Sequence, residues 1–229
     1  MAKRIVFTPN FNSDRSDLYF EHLVEFEWIP GLAISQQQKS VKNLHAAAKT
    51  HLHLENILEV STRSTEDLGR KLSAFNLELT LDEFKVSVEE IYQASKVFEG
   101  GGPYVDLIGS GALNAKRDPR IKESGNLIGF QFKNASFPLA DSPNFYDWLY
   151  VSALAENEEL HAAINSFQAF TDIAFNQSTV KPKEGKSFNS QARSISIWCT
   201  MSKQGNVLRF VHNIDELSEV KKFPPETLF

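Results

Sequence analysis

Apolar and polar residues alternate in two neighbouring segments in the first half of the chain. Residues 75–79 place Phe, Leu and Leu at every second position, and residues 84–88 repeat the alternation with Phe, Val and Val. Alternation of this kind is typical of half-buried strands, and the short break at residues 81–82 fits a hairpin turn. Two further apolar runs, residues 19–28 and 56–61, are also predicted to form strands.

Helical spacing of apolar residues prevails elsewhere. Residues 35–49 carry apolar side chains three and four positions apart, and residues 35–38 form a capping-box pattern at their start. A second helix is predicted from Ser142, because Pro143 suits the first position of a helix. Residues 192–201 fit a strand or a helix, and we interpret them as a helix. The mixture of separate strands and helices predicts an α+β domain.

The segment VEEIYQASKVFEGGGPY, which follows Ser87, combines a helical pattern with charged residues. Ser87 is a good N-cap, and Glu90 stands in the capping-box position, which gives Glu90 a structural role. At helical spacing, Glu89, Gln93 and Lys96 share one stripe on the opposite side from the apolar face. Glu89 and Lys96 would then lie roughly 10.5 Å apart along the axis, too far for a direct ion pair. A group lodged between them could contact both.

Three consecutive glycines, Gly100, Gly101 and Gly102, follow this pattern and precede Pro103. Gly100 is predicted to end the helix in a left-handed conformation. The next glycines would leave backbone N–H groups uncovered, and successive uncovered N–H groups can bind an anion. The alternative interpretation of the same run is a flexible end to the helix.

The charge of the chain limits how it can meet nucleic acid. The net charge is −5 over 229 residues, which argues against a protein that coats DNA without selectivity, since such a protein needs a broad basic face. The charge remains compatible with an enzyme that meets DNA at one modified base. We interpret two local basic clusters as solvated loops: Lys116, Arg117, Arg120 and Lys122, and then Lys181, Lys183, Lys186 and Arg193.

Other kinds of site have little support in the sequence. Cys199 is the single cysteine, so a disulfide within the chain is excluded, and we expect a buried thiol in a reducing cytoplasm. His51 and His53 could begin a metal site, but no third ligand stands nearby, so we expect neither metal nor cofactor. No apolar run approaches the ~20 residues of a membrane span. The Gly-rich motifs of dinucleotide and nucleoside triphosphate sites are absent from the sequence.

The order of these segments resembles the NADAR family (NAD- and ADP-ribose-associated proteins). The tetrad Leu-Ser-Ala-Phe at residues 72–75 is similar to one family element. The helix of the family contains Glu-x-x-x-Gln-Ala-x-Lys, which is matched here by Glu89, Gln93 and Lys96. The likeness covers roughly residues 56–202. It implies a mainly helical single domain with a small, largely antiparallel sheet.

This chain departs from the usual family pattern in several places. Glu90 replaces a histidine, Ala74 replaces an asparagine, and the Gly-Gly-Gly-Pro-Tyr insertion is unusual. We interpret residues 1–55 as an extension packed on the core and residues 56–229 as the catalytic domain. These features resemble the branch encoded beside a DNA-ADP-ribosylating toxin, in which the NADAR protein is the antitoxin and removes ADP-ribose from guanine bases.

The resemblance implies roles for individual residues. Glu89 would be the catalytic carboxylate and Lys96 its partner, either as a cation that holds the substrate or as a neutral amine that attacks the anomeric carbon of the ribose. The glycine run would bind the diphosphate, and Asp172 would orient ribose hydroxyls. Further substrate contacts are expected from the residues Gln93, Trp148, Asn189 and Arg193.

Two alternatives to a DNA-guanine ADP-ribosyl hydrolase remain open. One is an antitoxin that neutralises the toxin by direct binding, because the acidic balance and the first 55 residues could cover a basic groove. The other is an N-glycosidase that acts on small ribose-phosphate metabolites. The expected partners are therefore ADP-ribosylated DNA and the cognate toxin, and no membrane.

Overall fold

The computed structural model of the chain describes residues 1–12, 17–175 and 189–212. Its strands are β1 (Ala2–Pro9), β2 (Tyr19–Phe26), β3 (Ile57–Glu59), β4 (Glu78–Leu81), β5 (Phe84–Ser87), β6 (Lys96–Phe98), β7 (Leu127–Phe132), β8 (Ala135–Pro138) and β9 (Ala169–Thr171). Its helices are α1 (Ile34–Leu52), α2 (Asp67–Lys71), α3 (Val88–Ala94), α4 (Ala112–Arg117), α5 (Arg120–Glu123), α6 (Ser142–Glu156), α7 (His161–Ile164), α8 (Gln191–Gln204) and α9 (Val207–His212). The predicted α+β class is confirmed.

The strands form three small sheets that are mostly antiparallel. The four-stranded sheet has the order β2-β1-β9-β3, and β1 pairs with β2 in antiparallel register along its whole length. Val6 of β1 lies opposite Thr171 of β9, again antiparallel, whereas β3 runs parallel to β9 with Leu58 opposite Phe170. The other sheets are the pair β4-β5 and the three strands β6-β7-β8.

The predicted hairpin is the pair β4-β5. Leu81 pairs with Phe84, so the two loop residues are Asp82 and Glu83, one position later than the alternation indicates. Both have positive φ angles, 47° and 78°, as two-residue hairpin loops of the primed type require. The strand prediction from residue 75 is too early, because β4 begins only at Glu78.

Helices predicted from periodicity are present. The segment 192–201, which fits either class of element, lies in α8, and Pro143 stands in the first turn of α6. The capping box predicted at residues 35–38 is wrong, because α1 begins after Ala33 and has no side-chain cap. Among the helices that the structure describes, none combines the length and the apolar character of a bilayer-spanning segment.

The first 55 residues contribute two strands to the four-stranded sheet. β1 is an internal strand that joins β2 to β9, and Phe7 on β1 is fully buried in the main core. α1 covers the same sheet, where Val41, Leu44 and Ala48 pack with Val6. The division of the chain at residue 55 stays a prediction.

Helix α6 lies at the centre of the core. Every residue from 145 to 154 is buried, in keeping with the mostly apolar character of this stretch, in which Asp147 and Ser152 are the polar residues. The Phe145 ring lies 4.8 Å from the Phe137 ring and 5.3 Å from the Phe130 ring, measured between centroids. Phe130 is also 5.0 Å from the Tyr92 ring of α3, so this aromatic cluster joins α3 to α6 and to strand β7.

The prediction that the helix beginning after Ser87 continues to Gly100 is wrong. α3 ends at Ala94, and Lys96 begins strand β6, which pairs with β7. Two hydrogen bonds from outside the helix occupy the carbonyls at this point: the amide of Gln131 donates to Ser95, and the amide of Tyr104 donates to Ala94. The chain therefore leaves α3 in an extended conformation before the glycine run.

Gly102 holds the loop after β6 against the backbone of Lys96. Its φ is +93°, and a Cβ atom at this position would lie 2.3 Å from the Lys96 carbonyl oxygen. Gly109 has a similar φ of +86°, but nothing lies within 4 Å of the Cβ that would be added there. Substitution of alanine at both positions therefore separates the cost of the backbone conformation from the cost of the clash with the Lys96 carbonyl.

We expect Gly102→Ala to lower the free energy of unfolding by about 2–4 kcal/mol, since conformational strain and overpacking add. Gly109→Ala is the matched control and should cost about 1–2 kcal/mol, from conformation alone. Urea denaturation of both variants and the wild type measures the difference. Equal losses for the two variants would show that Gly102 has no packing role.

Candidate functional site

Glu89 is a buried carboxylate in the first turn of α3. The capping box at Ser87 and Glu90 is complete, as predicted, and the Glu89 amide donates to the Ala74 carbonyl at 2.8 Å. Glu89 is only 6% exposed. Its Oε1 accepts a hydrogen bond from Gln93 Nε2 at 2.9 Å, so the predicted stripe brings these two residues into contact.

The ammonium that pairs with Glu89 belongs to Lys116, not to Lys96. Lys116 Nζ lies 3.1 Å from Glu89 Oε1 and 4.8 Å from the centre of the Phe75 ring. The sequence pattern assigns Lys116 to a solvated loop. The contact with Glu89 could not be recognised there, because the two residues are far apart along the chain. Lys116 stands on helix α4, which packs against α3.

Glu90 fixes the start of α4 beside α3. Its Oε2 accepts hydrogen bonds from the amide and the hydroxyl of Ser87, at 3.3 and 2.7 Å. Its Oε1 accepts from the amides of Gly109 and Gly111, at 3.1 and 3.0 Å. Glu90 therefore has the predicted structural role and a second one, which is to place the helix that carries Lys116.

Lys96 comes close to Glu89 from the first position of β6. Its Nζ lies 5.1 Å from the centre of the Tyr92 ring, and its backbone pairs with Phe130. Burial lowers the pKa of the Lys96 ammonium to about 8, although the Glu89 carboxylate opposes this effect; the charge of Lys116 lowers it further. A neutral amine is therefore accessible near physiological pH.

Two further residues predicted for the site are related to this region through tyrosines: Asn189 through Tyr92, and Asp172 through its charge acting on Tyr146. Asn189 Nδ2 donates to the Tyr92 hydroxyl at 2.7 Å, which places Asn189 beside α3. Tyr146 makes an edge contact with Tyr92, with ring centroids 5.2 Å apart. Burial raises the pKa of Tyr146 well above its usual value, and the charges of Glu89 and Asp172 both add to the rise. The Tyr146 hydroxyl therefore stays protonated.

A chain of hydrogen bonds connects Asp172 to Glu89. Gln191 Nε2 donates to Asp172 Oδ2 at 3.4 Å, and Gln191 Oε1 accepts from the Ala74 amide at 2.6 Å. The Ala74 carbonyl in turn accepts from the backbone amide of Glu89, so the chain reaches the backbone of Glu89. Burial raises the pKa of Asp172 to about 6, while hydrogen bonds from Gln191 and nearby amides oppose the rise. Gln191 is a link that sequence reasoning missed.

The structure does not bring Trp148 and Arg193 to this region as substrate contacts. Trp148 is buried against Phe132, with ring centroids 5.7 Å apart, and its Nε1 donates to the Val211 carbonyl at 3.0 Å. Trp148 therefore lies in the core, and its stacking on a base stays a prediction that these contacts do not support. The Arg193 guanidinium forms a buried ion pair with Asp147 at 3.2 Å, which ties α8 to α6.

The glycine run is not an anion-binding loop of uncovered amides. The Gly100 amide donates to the Ser124 carbonyl at 2.9 Å, and the Gly101 amide donates to the Phe98 carbonyl at 3.4 Å. The expectation of uncovered amides is therefore wrong for Gly100 and Gly101, while the diphosphate site at the glycine run stays a prediction. The third glycine, Gly102, serves close packing on Lys96.

These contacts join Glu89 to Gln93 and to its ion partner Lys116, and the charge of Glu89 acts on Lys96. A sequence profile of the family described as "DarT1-associated NADAR antitoxin" matches residues 2–224 of the chain. The chain belongs to this family. A comparison with curated proteins gave no significant match. The match includes the first 55 residues, so the family pattern extends over β1, β2 and α1.

The arrangement in this NADAR antitoxin can perform acid–base chemistry and can hold a developing positive charge. A fixed carboxylate stabilises a cationic sugar intermediate, and an amine with a lowered pKa can act as a nucleophile. The described residues hold no group of three His, Cys, Asp or Glu side chains able to ligate a metal.

Another buried carboxylate, Glu59, lies on β3. Its Oε1 accepts from Ser61 Oγ at 2.6 Å and from the Ile173 amide at 2.9 Å, and its Oε2 accepts from Thr171 Oγ1 at 2.6 Å. The His45 ring and the Thr171 hydroxyl are hydrogen-bonded to each other at 2.8 Å. Burial, and then the charge of Asp172, raise the pKa of Glu59 to about 7.

We expect Glu59 to make the stability of this antitoxin fall as the pH rises. A carboxyl whose folded pKa is raised contributes fully below its unfolded value of 4.5 and loses that contribution as the pH passes about 7. Glu59→Gln should reduce the loss of unfolding free energy between pH 5 and pH 8 by about 1–3 kcal/mol. Tm measured across this pH range detects the flatter decline. The exposed Glu55→Gln is the control; parallel Tm curves for all three proteins would contradict the assignment.

Proposed function

We propose that this NADAR antitoxin hydrolyses the N-glycosidic bond between ADP-ribose and a guanine base of DNA, with Glu89 and Lys96 as the catalytic pair. The observation that carries the proposal is the buried Glu89 carboxylate, held by Gln93 and Lys116 with the amine of Lys96 nearby. Cleavage of this bond builds positive charge on the sugar and requires a proton on the departing nitrogen. A carboxylate beside an amine supports both needs.

The neutral amine is the role of Lys96 that the contacts favour. The ion pair with Glu89 is supplied by Lys116, so the cationic role near the carboxylate is already filled. With a pKa of about 8, Lys96 is neutral in about a tenth of the molecules at pH 7. The sequence leaves the cationic and nucleophilic roles of Lys96 open. We propose the nucleophilic role, because the ion partner of Glu89 is Lys116 and not Lys96.

The proposed reaction proceeds through an imine. Lys96 Nζ attacks the anomeric carbon while the bond from that carbon to the guanine nitrogen breaks. The proton that Nζ loses passes through Glu89 to the departing nitrogen. The nitrogen lone pair then expels the ring oxygen, which takes a proton from a water molecule, and a protonated imine forms. The hydroxide that remains adds to the imine carbon, its proton passes to Nζ as the bond from that carbon to Nζ breaks, and free ADP-ribose leaves with Lys96 restored.

We expect Glu89→Gln to slow the release of ADP-ribose from an ADP-ribosylated oligonucleotide by at least about 100-fold, because a placed acid–base group contributes about 10²–10⁴ in rate. Glu55→Gln, on the exposed surface, is the matched control and should retain the wild-type rate. Chromatography of the released nucleotide measures both. Equal rates for wild type and Glu89→Gln would exclude this role.

The same variant separates catalysis from neutralisation by direct binding. Cells that express the toxin together with Glu89→Gln antitoxin should lose protection if hydrolysis is the protective activity. Full protection by this variant at wild-type protein levels would favour the binding function instead. Hydrolysis of ribose-phosphate metabolites without any release from DNA would select the metabolite N-glycosidase.

We expect the single-turnover rate to rise from pH 7 and to level off above about pH 8, as Lys96 becomes neutral. Borohydride added during turnover should attach ADP-ribose covalently to the wild-type protein but not to Lys96→Arg, and mass spectrometry detects the adduct. Lys122→Met, on α5, is the control and should still be labelled. A rate that falls above pH 8 with no adduct would assign Lys96 the cationic role.

A further inference from the structure

The ion pair between Glu89 and Lys116 joins a buried group to an exposed one. The Glu89 side chain is 8% exposed, whereas the Lys116 side chain is 51% exposed. Oε1 of the carboxylate carries both Lys116 and Gln93. A ribose that reaches this oxygen must take the place of one of them, and Lys116 is the one whose side chain has open space to move into.

Other cations near α3 have fixed partners. Arg120 donates to Asp106 at 2.7 Å and to Asp118 at 2.9 Å, which holds its guanidinium across the start of α5. Lys96 is half-buried, with a lowered pKa, and is assigned above to the attack on the sugar. Lys116 is therefore the flexible, exposed cation that the described residues place on the Glu89 carboxylate.

The backbone beneath Lys116 is firmly attached. Glu90 Oε1 binds the amides of Gly109 and Gly111 just before α4, and Ala115 on α4 is fully buried against α3. A change of partner by Lys116 therefore needs only rotation of its side chain. Because half of that side chain is in solvent, the ion pair is worth a factor of only about two to five in an equilibrium constant.

We propose that Lys116 is the phosphate-binding residue of this site: it covers Glu89 in the free protein and transfers to the diphosphate of the ADP-ribosyl group, which uncovers the carboxylate. The proposal rests on the proposed function, since it takes ADP-ribose as the ligand. The diphosphate contact would then come from Lys116 on α4. The amides of Gly100 and Gly101 do not supply it, because they already donate to carbonyls of the chain. The proposal also makes substrate binding and exposure of Glu89 one event.

Calorimetric titration of the full chain with ADP-ribose tests the phosphate contact. We expect Lys116→Met to bind ADP-ribose at least about 10-fold more weakly than the wild type, as loss of a charge-assisted hydrogen bond predicts. Lys116→Arg should remain within about threefold, and Lys122→Met, a neighbouring exposed lysine, should bind as the wild type does. Unchanged affinity in Lys116→Met would overturn the proposal.

A double-mutant cycle on ADP-ribose affinity tests whether Lys116 transfers from Glu89 to the diphosphate. Glu89→Gln removes the anion that competes for Lys116, so it should bind ADP-ribose about two to five times more tightly than the wild type. The gain should vanish when Lys116→Met is added. If Lys116 served only to hold Glu89 in place, Glu89→Gln would give no gain, and the exchange would be refuted.

An unmodified single-stranded oligonucleotide separates the two sources of phosphate. A loss of affinity in Lys116→Met that is confined to the oligonucleotide would assign Lys116 to the DNA backbone and overturn the diphosphate contact. Failure of the wild type to bind ADP-ribose would instead count against the proposed function itself. Equal binding by wild type and Lys116→Met overturns the further inference alone.

Discussion

The burial of the Glu89 carboxylate is the constraint on which the rest of the site depends. An ionised group removed from water is stable only when it is paired and hydrogen-bonded. Gln93 supplies a hydrogen bond from the same helix, but the counter-charge must come from another element, and Lys116 supplies it from α4. α4 is in turn held by Glu90, so neighbouring acids on α3 perform different tasks: Glu89 faces the site, and Glu90 anchors the helix that neutralises it.

The early end of α3 determines what Lys96 can do. On a continuous helix, Lys96 would stand two turns beyond Glu89 at a distance of roughly 10.5 Å along the axis. Because the chain leaves the helix after Ala94 and pairs with β7, the Lys96 side chain instead lies over the Tyr92 ring, where the Glu89 charge influences its pKa. Close packing of Gly102 on the Lys96 carbonyl stabilises this extended path.

Local patterns in the sequence predict the parts of the fold that local forces control. Periodicity identifies α1 and α8, the alternation after residue 84 identifies the hairpin, and the capping box at Ser87 is confirmed. The end of α3 could not be predicted, because the bond from Gln131 that draws the chain out comes from a distant segment. Lys116 was missed for the same reason, and Trp148 was assigned to the ligand although its helix is buried on all sides.

Comparison of four of the buried carboxylates shows how the partners of Glu89 differ from the others. Asp147 is paired with Arg193, which is itself buried, so separation of that pair would leave a charge inside the core. Glu90 is bound by the backbone amides of Gly109 and Gly111, which a side-chain rotation cannot remove, and burial raises the pKa of Glu59 to about 7. Glu89 alone among these four has a partner with a half-exposed, flexible side chain. Its charge can be uncovered without disruption of the fold, and an anionic ligand that attracts Lys116 supplies the force to uncover it.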